Sequence, residues 1–237
     1  MEARPFLERL EGAAPAAVGR RRGMSGRVGR KNVTAIVTGV GQANAAQAVT
    51  AAMEALRPVL VIMGGCAGAY EGRGVKVGDV AAATEEVFAD TGVMAPDGWK
   101  GMEETGIPLL EAGGMRHFNR LPLSSEYRHK IEAAAEKAEF AAGPVAQKPG
   151  LHFGVFLTVS TVSGTGARGK ELSARWGGIC ENMEGAAAAS VCMLYGVPFV
   201  EVRGISNMAV DRDRGGWDIE KASDNCAALM ESFLEVL

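Results

Sequence analysis

The chain has 237 residues, 47% hydrophobic and 22% charged, the balance of an ordinary globular domain. Twenty-five Lys and Arg against 28 Asp and Glu leave a net charge of −3, so phosphate backbones and anionic surfaces are not attracted overall and a nucleic-acid partner is not expected. The apolar uncharged run from Gly185 to Val200 is interrupted by Gly196 and Pro198, and it falls short of the roughly 18 apolar residues a membrane span requires.

In chain order, the opening M-E-A-R-P-F-L-E-R-L-E-G is charged and lacks the apolar segment of a signal peptide. The basic run Gly19-Arg20-Arg21-Arg22, with Arg27, Arg30 and Lys31, reads as a solvated turn ahead of the sheet. Residues 33–38 read as a strand, followed by the turn Gly39-Val40-Gly41 and an alanine-rich helix over 42–56. Pro58 opens an apolar strand over 59–63 that ends in a loop, Gly64 to Gly68. A further strand is expected over 79–89. Residues 91–123, rich in Gly and Pro, are the natural place for an irregular substrate-side excursion. Ser124 has the character of an N-cap for a helix to residue 142. A strand over 153–160, a loop at Ser163-Gly164-Thr165-Gly166 and a small-residue helix over 183–195 follow. A buried strand over 199–205 and an amphipathic helix over 217–237 close the chain. This alternation predicts one α/β domain, residues 1–237, with a mixed or largely parallel sheet.

Cys66, Cys180, Cys192 and Cys226 lie far apart, each in apolar or alanine-rich surroundings, as expected of free thiols in a reducing cytoplasm. His117, His129 and His152 are not at ligand spacing, so no metal is expected. Gly39-x-Gly41-x-x-Asn44 follows a strand and opens a helix, the context of a dinucleotide fingerprint. The third Gly is replaced by Asn44, however, and Val61 and Ile62 stand where a ribose-binding acid belongs. A tight turn without NAD, and no cofactor at all, is the reading; a nucleotide-binding or redox module is the rival from another class. The free N–H groups of such a turn can still face an oxygen-rich ligand.

The segments Glu181-Asn182-Met183-Glu184-Gly185 and Val202-Arg203-Gly204-Ile205-Ser206-Asn207 bring a carboxylate, an Arg and an Asn to neighbouring strand and helix ends. Taken singly, Glu184 is also a favourable charge at a helix N-terminus, Arg203 an interior cation in need of an acidic partner, and Asn207 a turn residue.

The motifs V-T-G-V-G-Q-A-N-A-A, G-C-A-G-A-Y with V-G-D-V, N-M-E-G-A-A and P-F-V-E-V-R-G-I-S-N occur in the order of the nucleoside phosphorylase and nucleosidase superfamily, which the whole chain resembles. E-E-V-F-A-D-T-G-V, A-P-D-G-W and L-T-V-S-T-V-S-G-T bring it nearest to the futalosine hydrolases within it. The resemblance implies a three-layer αβα domain, an N-glycosidic bond cleaved through an oxocarbenium-like transition state, a nucleoside substrate (futalosine, releasing hypoxanthine on a route to menaquinone) and a homo-oligomer. It implies Glu184 as the ribose anchor with Met183 beneath the sugar, and Glu2 as general base for the attacking water. Gly65, Cys66 and Ala67 would line ribose and base, Gly164 and Thr165 the base edge, and Ser206 the same pocket. Asn207 takes the place of the Asp found in adenine nucleosidases. An amide offers an acceptor and donors in one plane but no acid, which suits a 6-oxopurine. Met63 stands where phosphorylases carry a phosphate-clamping Arg, so water is the expected nucleophile. Methylthioadenosine/adenosylhomocysteine nucleosidase and purine nucleoside phosphorylase are the alternatives.

The superfamily opens on an apolar strand leading into the catalytic Glu, and nothing before Val33 has that apolar content. The resemblance therefore leads to the expectation of a further strand ahead of Met1.

Overall fold

A six-stranded mixed sheet organises the computed structural model, which describes residues 2–141 and 148–237. A short helix α1 (Arg4–Leu7) leads into an antiparallel meander of β1 (Glu11–Val18), β2 (Arg21–Val28) and β3 (Lys31–Ile36), then α2 (Gln42–Leu56) and β4 (Val61–Ala69). After β5 (Val80–Phe88) come two short hairpins, β6 (Val93–Ala95) with β7 (Gly98–Lys100) and β8 (Leu110–Ala112) with β9 (Met115–His117), and then β10 (Arg120–Pro122). The remainder is α3 (Arg128–Lys137), β11 (Leu151–Thr158), α4 (Gly166–Trp176), β12 (Gly178–Asn182), α5 (Gly185–Tyr195), β13 (Phe199–Met208) and α6 (Ile219–Val236). No helix is long and apolar enough to cross a membrane, among the described residues.

The main sheet runs β10-β5-β11-β12-β4-β13. Parallel pairs β5–β11, β11–β12 and β4–β13 alternate with antiparallel joins at β12–β4 and β10–β5. β13 also pairs with β5 through Val202–Gly204 opposite Val80–Ala82, so the sheet curls until it closes on itself. Helices cover both faces. α2 turns Ala45, Ala48, Val49, Ala52 and Met53 inward, the three-four spacing of one helix face, and packs on α5. On the other face Ile131 of α3 and Leu229 and Phe233 of α6 pack on Val200 and Val202 of β13. The result is the three-layer αβα arrangement the resemblance implies.

Three expectations change. The glycine cluster Gly64 to Gly68 is not a loop: β4 continues through it and pairs with β13 from Val61 to Ala69. The basic segment is not merely a turn. Arg21, Arg22 and Arg27 lie within β2, whose bonds to β1 and β3 are satisfied locally with modest burial. The helix expected up to residue 142 runs from 128 to 137 behind a 3₁₀ turn that Ser124 caps by accepting from Glu126 N at 3.2 Å; residue 142 lies outside the described residues.

β4 and β3 each leave an edge without a strand partner among the described residues. β4 is paired with β13 along its whole length, but with β12 only at Gly68 and Ala69. β3 is paired with β2 alone. Both free edges line one groove, roofed by Ala48, Ala52 and Leu56 of α2 and floored by Met230 and Leu234 of α6.

The closest backbone approach fixes where α6 lies. A Cβ on Gly204 of β13 would meet the carbonyl oxygen of Ala222 at 1.9 Å and its α-carbon at 2.9 Å, so only glycine lets the helix rest on the strand. Gly204→Ala is expected to destabilise the fold by about 3 kcal/mol or more, the upper range of overpacking costs. Urea denaturation checks it; an unchanged midpoint would show that α6 can slide freely.

Candidate active site

The crevice forms where β4, β13 and the N-terminus of α5 meet. β12 ends at Asn182, and the chain turns into α5 through Met183 and Glu184, the N-cap residue. The first helical N–H groups are held from inside. Asn182 Oδ1 accepts from the N–H of Glu184 at 2.8 Å and of Gly185 at 2.7 Å, and Thr158 Oγ1 accepts from that of Ala186 at 2.7 Å. With these donors already satisfied, the Glu184 side chain is not needed as a cap and turns into the crevice. Its Oε1 accepts from Gly41 N at 2.8 Å. Its Oε2 faces Arg203 Nη1 and Met183 N, each at 3.3 Å. The turn Gly39–Gly41 thus offers an N–H to a carboxylate of this chain.

Arg203 projects from β13 and is 3% exposed. It donates through Nε to Glu201 Oε1 at 2.8 Å and through Nη1 to Cys66 O at 3.3 Å, besides the contact with Glu184. Burial alone would weaken its charge, but the carboxylates of Glu201 and Glu184 outweigh that and raise its pKa above the ordinary arginine value. The interior cation has the acidic partners its position demands.

Glu2 reaches the same place from the opposite end of the chain. Its Oε2 accepts from Cys66 N at 3.2 Å, and a Cβ on Gly65 would meet Arg203 Nη1 at 2.7 Å and Glu2 Oε2 at 3.2 Å. Glu2 is otherwise exposed. Asn207 lies one strand-end further on. Ser206 Oγ donates to its Oδ1 at 2.9 Å, while its Nδ2 donates to Met208 O at 3.1 Å. The amide is held in one plane, with a lone pair and one N–H still to offer.

Glu2, Gly65, Cys66, Ala67, Met183, Glu184, Ser206 and Asn207 all line this crevice. Gly164 and Thr165 do not. Thr165 caps α4, accepting from Arg168 N at 3.2 Å, and the loop instead presents Val162 and Ser163 to the crevice. That loop is anchored from below by buried Glu181, which accepts from Ser163 N at 2.8 Å, Ser163 Oγ at 2.6 Å and Tyr70 Oη at 2.9 Å. Arg212 and Trp217 also line the crevice, the guanidinium 5.2 Å from the indole centroid. None of residues 91–123 does.

The phosphorylase superfamily model matches residues 2–237 of the chain. The chain belongs to the phosphorylase superfamily. It is 36% identical over 231 residues to a futalosine hydrolase from Thermus thermophilus, covering 97% of this chain and 90% of that one. It is 31% identical over 185 residues to a 5′-methylthioadenosine/S-adenosylhomocysteine nucleosidase from Actinobacillus succinogenes, covering 77% and 72%. Among solved structures, the fold is shared with the methylthioadenosine/adenosylhomocysteine nucleosidase of Neisseria meningitidis in complex with methylthio-immucillin-A (TM-score 0.82, 23% identity, 100% and 95% covered). It is shared as well with a futalosine hydrolase mutant of Helicobacter pylori (TM-score 0.81, 21% identity, 100% and 95% covered).

In this phosphorylase-superfamily chain, Cys66 lines the crevice in surroundings that favour the neutral thiol. Burial, and then the nearby charge of Glu2, pushes the Cys66 thiol up to about 12, and its Sγ rests against Ser223 Oγ at 3.4 Å. The thiolate is the reactive form, so at pH 8 Cys66 is expected to react with iodoacetamide far more slowly than a free cysteine. Intact-mass spectrometry follows this. Rapid single alkylation at Cys66 would contradict the assignment.

Proposed function

We propose that this chain is a purine nucleosidase of the futalosine hydrolase type, releasing hypoxanthine and dehypoxanthine futalosine from futalosine on a route to menaquinone. The observation that carries the reading is the convergence of Glu2, Glu184 and Asn207 on one crevice whose buried cation, Arg203, is already engaged by Glu201 and Glu184. The relatives named futalosine hydrolase support the substrate. We infer, by the same likeness, a homo-oligomer in the cytoplasm.

In this scheme Glu184 accepts from the ribose 2′- and 3′-hydroxyls and favours the positive charge that develops on the sugar as the bond from C1′ to N9 breaks. The bonding pair leaves on the purine. Glu2 takes a proton from water as the oxygen bonds to C1′. Asn207 cannot protonate the base; N7 of the departing purine takes its proton from water while Glu2 returns its own to solvent, and the free lone pair of Asn207 accepts from that N7–H while its remaining N–H donates to O6. An adenine would set its amino group against that N–H, and an unpaired buried polar group costs about 1–3 kcal/mol. Met63, 7% exposed and packed in the core beneath β4, gives a phosphate dianion nothing to pair with.

Purified protein is expected to release hypoxanthine from futalosine at a rate indifferent to added phosphate. Asn207→Asp should lower kcat/KM for the 6-oxopurine by about 10-fold or more, the kinetic equivalent of a lost hydrogen-bond pairing, and gain activity on methylthioadenosine. Phosphate-dependent turnover would instead indicate a phosphorylase, and a wild-type preference for methylthioadenosine the other nucleosidase.

Glu2 is held by a single hydrogen bond, and the groove between β3 and β4 bears on how it would be steadied. Crevice and groove form one cavity of about 1800 Å³. Ligand pockets hold about 300–1,000 Å³, so this is more space than a nucleoside needs. Two strand edges without a partner among the described residues, helices above and below, and Glu2 at the Cys66 end of β4 border that space.

A further inference from the structure

Beneath Glu184 lies a carboxyl pair that the hydrolysis scheme leaves without a role. Glu86 on β5 and Glu201 on β13 are 0% and 1% exposed. They converge over the α-carbon of Gly185, where an added Cβ would meet Glu86 Oε1 at 2.2 Å and Glu201 Oε2 at 2.3 Å. Glu86 receives Thr158 Oγ1 on Oε2 at 2.6 Å and Asn182 Nδ2 on Oε1 at 2.8 Å. Glu201 Oε1 receives Arg203 Nε, but Glu201 Oε2 is buried without a donor among the described residues.

One proton resolves this arrangement. Two carboxylates in contact inside a dry interior do not both ionise. Burial, and then the negative charge of Glu201, pushes the Glu86 carboxyl well above the usual carboxylate range. Glu201 Oε1 is already taken by Arg203 Nε, so the proton belongs on Glu86, where it gives Glu201 Oε2 the donor it lacks. Arg203, which acts to lower the Glu86 pKa, is the cation facing the pair. Cys180 of β12 faces both carboxyls as a neutral thiol, its pKa raised by burial and by their charges, and Thr158 and Asn182 are neutral. Glu181 is occupied by Tyr70 and Ser163.

We propose that Glu86 and Glu201 share one buried proton and together act as positioning residues for Glu184. Neutral Glu86 fixes the Glu201 carboxylate, Glu201 holds Arg203 by Nε, and Arg203 presents Nη1 to Glu184 Oε2. Glu201 thereby takes up much of the guanidinium charge, so that Glu184 keeps the negative charge that the forming sugar cation needs. This rests on the reading of Glu184 as the ribose anchor.

The test compares Glu86→Gln with Glu201→Gln in the full chain. The Glu86→Gln change replaces a neutral acid by a neutral amide that can still donate to Glu201, though its nitrogen gives Asn182 Nδ2 no acceptor, so kcat on futalosine should fall by about fivefold or less. The Glu201→Gln change removes the carboxylate and leaves Arg203 to Glu184 alone. It should lower kcat about 10- to 100-fold, the usual effect of losing a partner that orients a site residue, with KM little changed. Infrared spectroscopy should find a protonated-carboxyl band between pH 6 and 8 in wild type that Glu86→Gln abolishes. A crystal structure of Glu201→Gln should show the guanidinium displaced toward Glu184. The spectrum and the crystal structure need no substrate. If wild type fails to cleave futalosine while both appear as expected, the substrate reading fails and the carboxyl pair stands. Absence of the band, equal losses of kcat in the two variants, or an unmoved Arg203 would overturn the proposal.

Discussion

The guanidinium of Arg203, carried on a central strand and closed off from water, is the constraint around which the rest of the structure is arranged. A buried charge must be paired, and its partners must come from whatever elements surround it. Glu201 comes from the same strand, Glu184 from the N-terminal end of the preceding helix α5, and the carbonyl of Cys66 from the neighbouring strand. Each of these elements is therefore held in register with the others by one side chain. The glycines follow from the same crowding. A side chain on Gly65 would run into the guanidinium, and one on Gly185 into the two carboxyls beneath it. The glycine run of β4, which on paper resembles a flexible loop, is instead a strand kept bare so that charged side chains can pass over it.

This arrangement divides the crevice into a rigid and a lightly held half. Glu184 has its backbone pinned by Asn182 and its carboxylate by Gly41, Met183 and Arg203. Asn207 is oriented by its neighbours in the strand. A fixed, water-poor carboxylate is what electrostatic stabilisation of a developing cation asks for, since no reorganisation is needed when the charge appears. Glu2, by contrast, is exposed and meets the crevice through a single bond to Cys66 N, on the side where the cavity opens between β3 and β4. The half that would bind sugar and base is prearranged by interior contacts. The half that would activate water borders the groove between β3 and β4.

Most of the regular elements were legible in the residues. The alanine-rich helix after the Gly39–Gly41 turn runs over 42–56 as its spacing predicts, because its small and apolar residues recur on one face. The strands at β5, β11 and β13 and the closing helix α6 were equally plain, since runs of branched or apolar residues between turn residues leave few other solutions. β1 and β2 were not visible, because a half-exposed meander rich in Arg, Ala and Gly carries neither an apolar run nor a clean alternation. β12 and α4 escaped for a similar reason. β12 spans five residues, and α4 is polar apart from the residues it turns inward.

The sequence by itself determined the chemical inventory: an α/β alternation, a carboxylate before a small-residue helix, an Arg inside an apolar strand, an Asn just after it, and an apolar residue in place of a phosphate clamp. These are local or compositional properties, and the motifs that carry them are contiguous. Only the tertiary structure decided which partners answer the Arg, that the Gly41 N–H meets Glu184, that Thr165 caps a helix while Ser163 faces the crevice, and that Glu86 lies against Glu201. Those facts depend on pairing across β4, β5 and β13, segments far apart in the chain. A side chain's role there is set by the distance and burial of its neighbours, and neither is encoded in its own stretch of sequence.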